Sequence, residues 1–260
     1  MRAELFSKQY ELLVLLQQYR FATTKQLAQL LAKHYDSWAT AYRQITRHLN
    51  VLLVAGLVYR LDRRIGGWQY GSAPMIWTLT VKGARQVNPE DATVKRLRPK
   101  TLSTTFLDHA LAITELRVQL EQVISDSNLK LRWVQVEPAC HRSYVDRNGT
   151  AAILKPDLTC AIQSSAYEDF YFMEVDRATE NPARVIRKCQ QYVDYQQTGQ
   201  EQKQHGVFPA VIWTVPNDKR REQLRRYIQQ DSDLPKEIFR VVTLDQLPEL
   251  IRVGVTEFPK

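Results

Sequence analysis

Acidic side chains stand at the ends of two strand-like segments in the second half of the chain. Asp157 opens an apolar segment that continues to Ile162, and Glu174 and Asp176 close a segment that begins at Phe170. Residues two apart on a strand point to the same face, so Glu174 and Asp176 should project together. If the two segments pair as a hairpin, Asp157 reaches the same place. Three converging carboxylates predict a site for a hard divalent cation, Mg²⁺ or Mn²⁺.

A predicted helix over residues 182–197 follows the second acidic segment and supplies further candidates. It begins at a proline, which is favoured at the first position of a helix. Lys188 and Tyr192 are four residues apart, so they share one face of this helix. A lysine there could stabilise the charge on a phosphate under attack, and a tyrosine could hydrogen-bond that phosphate or attack it. The candidate catalytic residues are Asp157, Glu174, Asp176, Lys188 and Tyr192, and the three carboxylates are also the candidate metal ligands.

The same carboxylates allow a plainer interpretation. Strands often end in acidic residues because strand ends meet solvent, and a Glu-x-Asp pattern is common. In that case the carboxylates form ion pairs with nearby arginines, such as Arg177, Arg184 and Arg187, and do no chemistry.

Positive charge is concentrated in the first part of this 260-residue chain, whose net charge is +8. Residues 1–100 contain sixteen Lys or Arg and six Asp or Glu, whereas residues 101–260 contain twenty and twenty-two. A basic first part indicates a polyanionic partner, with nucleic acid first and an anionic membrane surface second. The length allows one large or two small domains.

The cysteines, the first residues and the lengths of the apolar runs indicate in which cellular compartment the protein acts. Cys140, Cys160 and Cys189 form no Cys-x-x-Cys pair, and no histidine stands at zinc-binding spacing. We therefore expect a cytoplasmic protein with free thiols and without zinc. We also expect no nucleotide cofactor. The first residues do not resemble a signal peptide, because Glu4 precedes the apolar stretch. No apolar run approaches the roughly 20 residues that span a bilayer.

The basic first third predicts three helices followed by a hairpin. Apolar residues recur at helical spacing in residues 7–20, residues 23–26 cap a short second helix, and a third helix covers residues 40–55. Residues 57–61 and 76–80 are typical of two strands joined by a basic tip. This order resembles that of a winged helix-turn-helix. Residues 77–83 (WTLTVKG) also resemble the aromatic-x-Leu-Thr-x-x-Gly pattern at the second wing strand of many regulators.

In a winged helix the third helix enters the major groove, and the hairpin meets phosphates or the minor groove. A solvated polar helix face would show the same residues, and winged helices also bind proteins. The candidate DNA-binding residues are Thr40, Arg43, Gln44 and Arg47 on the helix, and Arg60, Arg63 and Arg64 on the hairpin.

The remaining chain predicts a second, mixed α/β domain. Residues 88–103 lose periodicity and collect basic residues, which indicates a linker between domains at 1–87 and 104–260. A helix at 104–125, strands at 129–136, 158–162 and 170–176, the helix at 182–197 and a strand at 207–215 follow in the order α-β-β-β-α-β. A basic helix at 217–230, a strand at 238–243 and a helix at 245–252 close the chain. The fold class is therefore α/β (α+β).

This order, with Pro-Asp on the second strand and Glu-x-acid on the third, resembles the PD-(D/E)XK fold of restriction endonucleases. Many such enzymes carry lysine where this chain has Asp176, and Lys188 on the following helix is placed to substitute for it. Gln191 and Tyr195 form a Gln-x-x-x-Tyr pattern that resembles a motif of RecB-like nucleases.

Nearly the whole chain resembles the replication-relaxation family, which includes the MOBC-type relaxases of plasmids and integrative elements. The resemblance rests on the two predicted domains together, on residues 108–111 (DHAL) and on residues 174–179 (EVDRAT). It implies a protein that binds duplex DNA at a mobile-element origin. Such a protein either nicks one strand with Mg²⁺ or Mn²⁺ or assists the nicking enzyme within a relaxosome or replication complex. No histidine of this chain forms the His-apolar-His metal site of the commoner relaxase type.

Two other classes of function stay open at the level of sequence. One is a non-catalytic DNA-binding regulator of transcription or replication, whose nuclease-like domain is inactive and serves dimerisation. The other is an adaptor that binds a membrane surface through its basic face. A homodimer would suit a protein that binds a palindrome, although the sequence carries no heptad seam.

Overall fold

The computed structural model describes residues 7–61, 75–90, 102–165, 167–179 and 181–258. Helices and sheets are interspersed along these residues, so the mixed α/β class is confirmed. The chain divides into two compact units, Met1–Val118 and Gln119–Lys260. The division falls inside a long helix, Thr104–Ser125, which the sequence assigned to the second domain. The functional domain boundaries at 1–87 and 104–260 stay a prediction.

The first unit contains four short or medium helices, three strands and the start of the long helix within its described residues. The helices are α1 (Ser7–Tyr19), α2 (Thr24–Leu30), α3 (Trp38–Val54), α4 (Val81–Val87) and the first part of α5 (Thr104–Ser125); the strands are β1 (Ala22–Thr23), β2 (Val58–Leu61) and β3 (Ile76–Leu79). The strands form an antiparallel sheet in the order β1-β3-β2. The predicted basic tip, with Arg63 and Arg64, lies outside the described residues.

Helix α3 is amphipathic, and this determines which of its faces lies at the surface. Ala41, Ile45, Leu49 and Leu52 recur at spacings of three and four and are fully buried. Of these, Ile45, Leu49 and Leu52 join residues of α1, α2 and β3 in one apolar core. Ser37 caps the helix by accepting a hydrogen bond from the backbone N–H of Thr40 (3.2 Å). The opposite, polar face therefore stays at the surface.

The Trp-x-Leu-Thr-x-x-Gly pattern has a structural cause in this unit. The Trp77 indole N–H donates to the hydroxyl of Thr24 (2.8 Å). Thr80 caps α4 by accepting from the backbone N–H of Gly83 (2.9 Å). A Cβ atom at position 83 would lie 1.9 Å from the carbonyl oxygen of Leu57, so only glycine fits there. The pattern thus fixes β3 and α4 against the end of α3.

The start of α5 packs within the first unit. Leu107, Ala110 and Leu111 join Phe21 and Ile76 in a small apolar cluster. Polar contacts accompany it: the Gln26 amide donates to the carbonyl of Leu111 and to Glu115 (3.0 Å each), and the Thr114 hydroxyl donates to the carbonyl of Phe21 (2.8 Å). Gln26 also completes the capping box with Thr23 that the sequence predicted at the start of α2.

The second unit is built on a mixed sheet. Its strands are β4 (Lys130–Val136), β5 (Arg142–Val145), β6 (Ala151–Leu154), β7 (Leu158–Gln163), β8 (Glu168–Val175), β9 (Ala210–Val215) and β10 (Phe239–Thr243); its helices are α6 (Pro182–Gln197), α7 (Gln200–His205), α8 (Asp218–Gln230) and α9 (Leu247–Val253). The sheet order among the described strands is β10-β9-β8-β7-β4, and β5 pairs with β6 as a separate hairpin. The β5–β6 hairpin and α7 were not predicted.

The pairing of the sheet decides where the acidic residues meet. Strands β4, β7 and β8 are antiparallel neighbours, and β8, β9 and β10 run parallel. Leu158 at the start of β7 lies opposite Met173 near the end of β8. The residues just before β7 and those that end β8 are therefore adjacent. Helices α6 and α8 cover this region through an apolar core that includes Phe172 and Trp213.

No helix within the described ranges is long and apolar enough to cross a membrane.

Candidate active site and nucleic-acid interface

Asp157 and Glu174 lie together at the end of the sheet in the second unit. A carboxylate oxygen of Asp157 accepts a hydrogen bond from the backbone N–H of Val175 (2.8 Å), which ties the start of β7 to the end of β8. Glu174 is 1% exposed, and the negative charge of Asp157 is close enough to raise its pKa. Two of the three predicted carboxylates are thus brought to one place.

Both oxygens of Glu174 are held by side chains from α6. The Lys188 ammonium lies 2.5 Å from one oxygen, and the Tyr192 hydroxyl donates to the other (2.5 Å). Burial raises the pKa of Glu174 to about 8, because desolvation disfavours the charged form; Lys188 opposes this rise and Asp157 adds to it. The spacing of Lys188 and Tyr192 on one helix face delivers both groups, as the sequence predicted for that face.

Tyr192 is fully buried, and this limits its chemistry. Burial and the adjacent Glu174 carboxylate raise the pKa of Tyr192 well above its usual value. The phenol therefore keeps its proton and donates a hydrogen bond to Glu174. In this arrangement Tyr192 positions the carboxylate and is poorly suited to attack a phosphate.

Asp176 follows β8 but binds a different helix from Glu174. The Arg220 guanidinium of α8 contacts its carboxylate through Nε (2.9 Å) and through Nη2 (2.7 Å). The backbone N–H of Ala178 donates to the other oxygen. Asp176 and Arg220 are 5% and 6% exposed, so this is a buried ion pair in which two guanidinium nitrogens contact one carboxylate oxygen. The structure therefore places Asp176 in a buried ion pair with Arg220.

Arg220 was missed by the sequence reasoning, although one signal could have found it. The buried face of α8 consists of Arg220, Leu224 and Ile228, four residues apart. An arginine at the first position of an otherwise apolar stripe must find a counter-charge in the core. The stripe identifies the residue, but not its partner 44 positions earlier.

The carboxylates fit a divalent cation only in part. Within the residues that the structure describes, no three His, Cys, Asp or Glu side chains are grouped so that they could hold a metal ion. The predicted three-carboxylate cage, Asp157 with Glu174 and Asp176, is thus not formed, because Arg220 neutralises Asp176. Asp157 and Glu174 remain as a pair, and Mg²⁺ is commonly held by one or two carboxylates with waters and phosphate oxygens.

The Gln-x-x-x-Tyr pattern does not reach this site. The Tyr195 hydroxyl donates to Glu201 (2.7 Å), a buried carboxylate that also binds Arg142 (2.9 Å). Gln191 is exposed on the far side of α6. Tyr195 therefore binds Glu201 and not Glu174, and Gln191 faces solvent.

The polar face of α3 forms the candidate nucleic-acid interface in the first unit. Arg43 and Arg47 are exposed, and they line a shallow surface together with Thr46 and Asn50. Val51, exposed to 47%, continues this surface toward the helix C-terminus. Cationic and amide side chains on one helix face can contact phosphates and base edges.

The other predicted DNA-binding residues differ in their exposure and location, and two of them lie outside the described residues. Thr40 lies in the first turn of α3, where its hydroxyl accepts from that of Ser37 (2.9 Å), and Gln44 is half-buried. Arg60 is exposed on β2, opposite Trp77 of β3. Arg63 and Arg64 fall in the part of the hairpin for which no structure is described.

Two aromatic residues at the start of α3 were missed by the sequence reasoning. Trp38 is 46% exposed and Tyr42 is 38% exposed, and their rings lie 5.8 Å apart. They are four residues apart and fall outside the buried Ala41–Ile45–Leu49 stripe, which is the signal that could have identified them. They extend the interface with an apolar, aromatic patch.

Comparison with known proteins gives one match. The family model described as replication-relaxation matches residues 13–211, which includes most of both units. No curated protein and no solved structure matches this chain.

Replacing Asp176 with asparagine should unfold the protein more easily, because Arg220 would keep its buried charge without a counter-ion. We expect Asp176→Asn to lower the free energy of unfolding by about 3–5 kcal/mol in urea denaturation. Asp194→Asn is the matched control, since Asp194 pairs with Arg147 at the surface (3.2 Å), and such pairs contribute about 0–1 kcal/mol. Equal effects of the two substitutions would contradict the assignment of Asp176 to a structural ion pair.

The buried Glu174 should make stability depend on pH in metal-free buffer. Its pKa is raised from 4.5 to about 8 in the folded protein. The folded state therefore binds more protons, and stability falls as pH rises between these values, by at most about 1.4 kcal/mol per pH unit. We expect Glu174→Gln to remove this slope in denaturation curves at pH 5, 6, 7 and 8, whereas Glu168→Gln, which alters an exposed carboxylate, should keep it. A wild-type slope that survives in Glu174→Gln would assign the titration to another group.

Proposed function

Since this chain belongs to the replication-relaxation family, we propose that it binds duplex DNA at an origin-type site of a plasmid or integrative element and nicks one strand there. Family membership supports a role in processing DNA for replication or transfer. The observation that carries the catalytic part is the meeting of two buried carboxylates, Asp157 and Glu174, with the half-buried Lys188 at one end of the sheet.

The first unit is proposed to be a winged helix. In support, its elements follow the order α1-β1-α2-α3-β2-β3, and the sheet order is β1-β3-β2. Helix α3 would then lie in the major groove. Arg43 and Arg47 would contact base edges or phosphates, and the Trp38–Tyr42 patch would pack against thymine methyl groups or sugars.

The second unit is proposed to have the PD-(D/E)XK arrangement. In support, α5, β4, β7, β8, α6 and β9 follow one another as a core α-β-β-β-α-β order, with the β5–β6 hairpin inserted. The first three strands of this core are antiparallel, and the last runs parallel to the third. Asp157 before β7, Glu174 on β8 and Lys188 on α6 occupy the positions expected of an acid, a second acid and a migrated lysine.

Each residue of the site would have a distinct role in strand cleavage. Asp157 and Glu174 would hold Mg²⁺ or Mn²⁺, and such an ion polarises a phosphate and lowers the pKa of bound water. Lys188 supplies a positive charge next to the carboxylates, where it can stabilise charge on the phosphate under attack. Tyr192 orients Glu174 through its hydroxyl. Asp176 shapes the site indirectly, by tying the end of β8 to α8 through Arg220.

A second candidate function is non-catalytic DNA binding. It is favoured by the fact that both oxygens of Glu174 already accept short hydrogen bonds and that Asp176 is neutralised by Arg220. On this account Lys188 and Arg220 are structural counter-charges, and the second unit keeps the nuclease-like fold for assembly. The protein would then regulate transcription or replication, or assist a separate nicking enzyme.

The partners and compartment follow from the same reasoning. Duplex DNA is the primary partner, and a relaxosome or replication protein would join it on the origin. A homodimer would suit a palindromic site. Action in the cytoplasm is supported by Cys140, Cys160 and Cys189, which are all buried and are not joined in a disulfide within the described residues.

Strand cleavage can be tested on supercoiled plasmid that carries the origin region of the element encoding this protein. With Mg²⁺ or Mn²⁺ we expect the wild-type protein to produce open circles, and Asp157→Asn, Glu174→Gln and Lys188→Met to lose this activity by about 10²-fold or more. Asp233→Asn, an exposed control, should cleave normally. If wild-type protein shifts the duplex but never nicks it with either metal, the non-catalytic function is correct. Nicking that survives Asp157→Asn and Glu174→Gln would place the active site elsewhere.

DNA recognition by α3 can be tested separately in binding assays. Arg43→Ala should weaken binding to the specific site by about 1–3 kcal/mol and reduce the preference over random duplex, as expected of a base contact. Arg85→Ala, on the exposed face of α4, removes the same charge and is the matched control. Equal losses from the two variants would show that only net charge matters, and the assignment of α3 to the groove would fail.

A further inference from the structure

A pocket in the second unit carries cationic groups that the proposed function does not use. It lies beside β10, the outer strand of the sheet, and is walled by α8 and by the turn before β10. Its volume is about 90 Å³, whereas a single water needs about 10–15 Å³. The lining residues are Arg225, Ile228, Gln229, Lys236, Phe239, Arg240, Val241 and Phe258.

Arg240 is the buried cation of this pocket. It is 7% exposed, and its terminal nitrogens donate to the backbone carbonyls of Glu237 (3.0 Å), Phe239 (2.9 Å) and Val255 (2.9 Å). Its Nε–H is buried and has no acceptor among the residues that the structure describes. Carbonyl oxygens hold the guanidinium in place but do not neutralise it. A buried charge of this kind is costly unless an anion compensates it.

The neighbouring groups add positive charge rather than cancel it. Arg225 lies close enough to Arg240 that, after burial, its charge lowers the pKa of Arg240. Arg225 makes a loose surface contact with Glu222 (3.7 Å), and Lys236 donates to the carbonyl of Asp231 (2.8 Å). No acidic side chain is among the residues that line the pocket in the described part of the chain.

We propose that this pocket binds a phosphomonoester joined to an apolar or aromatic group, such as a nucleotide or the phosphorylated end of a DNA strand. An anionic group in the pocket supplies the counter-charge that the carbonyl partners of Arg240 do not give. Three cations without a carboxylate among the lining favour a phosphate over a singly charged carboxylate. The apolar wall of Ile228, Phe239 and Val241 suits the group that the phosphate carries.

This inference is independent of the proposed nicking site, which is built from other residues. It also goes beyond the expectation of no nucleotide cofactor, since no motif in the sequence indicates it: Arg225, Lys236 and Arg240 have no fixed spacing that is typical of phosphate binding. Only the meeting of α8 with β10 groups them.

The proposal is tested by calorimetric titration of the full-length protein at constant ionic strength. The probes are deoxyadenosine 5′-monophosphate, deoxyadenosine without phosphate, and a short single-stranded oligonucleotide with either a 5′-phosphate or a 5′-hydroxyl. We expect saturable binding of the monophosphate and none of deoxyadenosine. We also expect tighter binding of the 5′-phosphorylated oligonucleotide than of its 5′-hydroxyl counterpart, which still carries the internal phosphates that the DNA interface can contact. The probe that binds more tightly identifies the source of the phosphate. Equal binding with and without phosphate, or no saturable binding of any probe, overturns the proposal.

Variants then assign the binding to this pocket. Arg225→Gln, at a partly exposed position, and Arg240→Gln should each weaken phosphate binding about tenfold or more. Arg226→Gln is the matched control, because Arg226 is the next residue of α8 and is exposed outside the pocket. Arg225→Gln keeps the test decisive if Arg240→Gln fails to fold. An unchanged affinity in Arg225→Gln, or an equal loss in Arg226→Gln, contradicts the proposal.

Discussion

The burial of the Glu174 carboxylate is the constraint on which the second unit depends. A carboxylate that is 1% exposed needs compensation for its lost hydration. Compensation comes from Lys188 and Tyr192, which must sit on the same face of α6 to reach both oxygens. The position of α6 over the sheet is therefore fixed by polar contacts as well as by the apolar core. Burial also raises the pKa of Glu174 to about 8, so its protonation changes near neutral pH.

The two acidic residues at the end of β8 contact two different helices. Glu174 binds α6, and Asp176, just beyond the strand, binds Arg220 of α8. Each buried carboxylate thus anchors one helix to the sheet, and Asp157 ties β7 to the same point through Val175. The carboxylate of the candidate site, Glu174, and the ion-paired Asp176 are separated by a single residue. This proximity explains why the Glu-x-Asp pattern alone does not reveal which carboxylate could serve a metal.

Local signals were enough to predict many of the elements that build the site. The helix Pro182–Gln197 was predicted with its observed bounds, because its proline start and its periodicity are encoded in the segment itself. The meeting of Asp157 with Glu174 followed from alternation and a hairpin. The mixed α/β class and the capping box at Thr23 were predicted for the same reason.

Features that depend on distant pairing were missed. Strand β1 has two residues, too few for any periodicity, and exists because Ala22 and Thr23 pair with β3. The β5–β6 hairpin was not predicted, since its strands are partly exposed and show little alternation. The Asp176–Arg220 pair joins residues 44 positions apart, so the stripe of α8 marks Arg220 as buried but does not identify its partner. The three-carboxylate interpretation failed at that point, because the sequence does not show which cation each carboxylate meets.

Binding of Mn²⁺, followed by calorimetry at pH 7 in buffers of different ionisation enthalpy, tests the central claim most directly. That claim is that Asp157 and Glu174 together form a cation site whose access requires Glu174 to lose its proton. The account predicts one saturable Mn²⁺ site, proton release on binding, and loss of the site in Asp157→Asn and Glu174→Gln. Saturable binding that is unchanged in Glu174→Gln, or no binding by the wild-type protein, would contradict it.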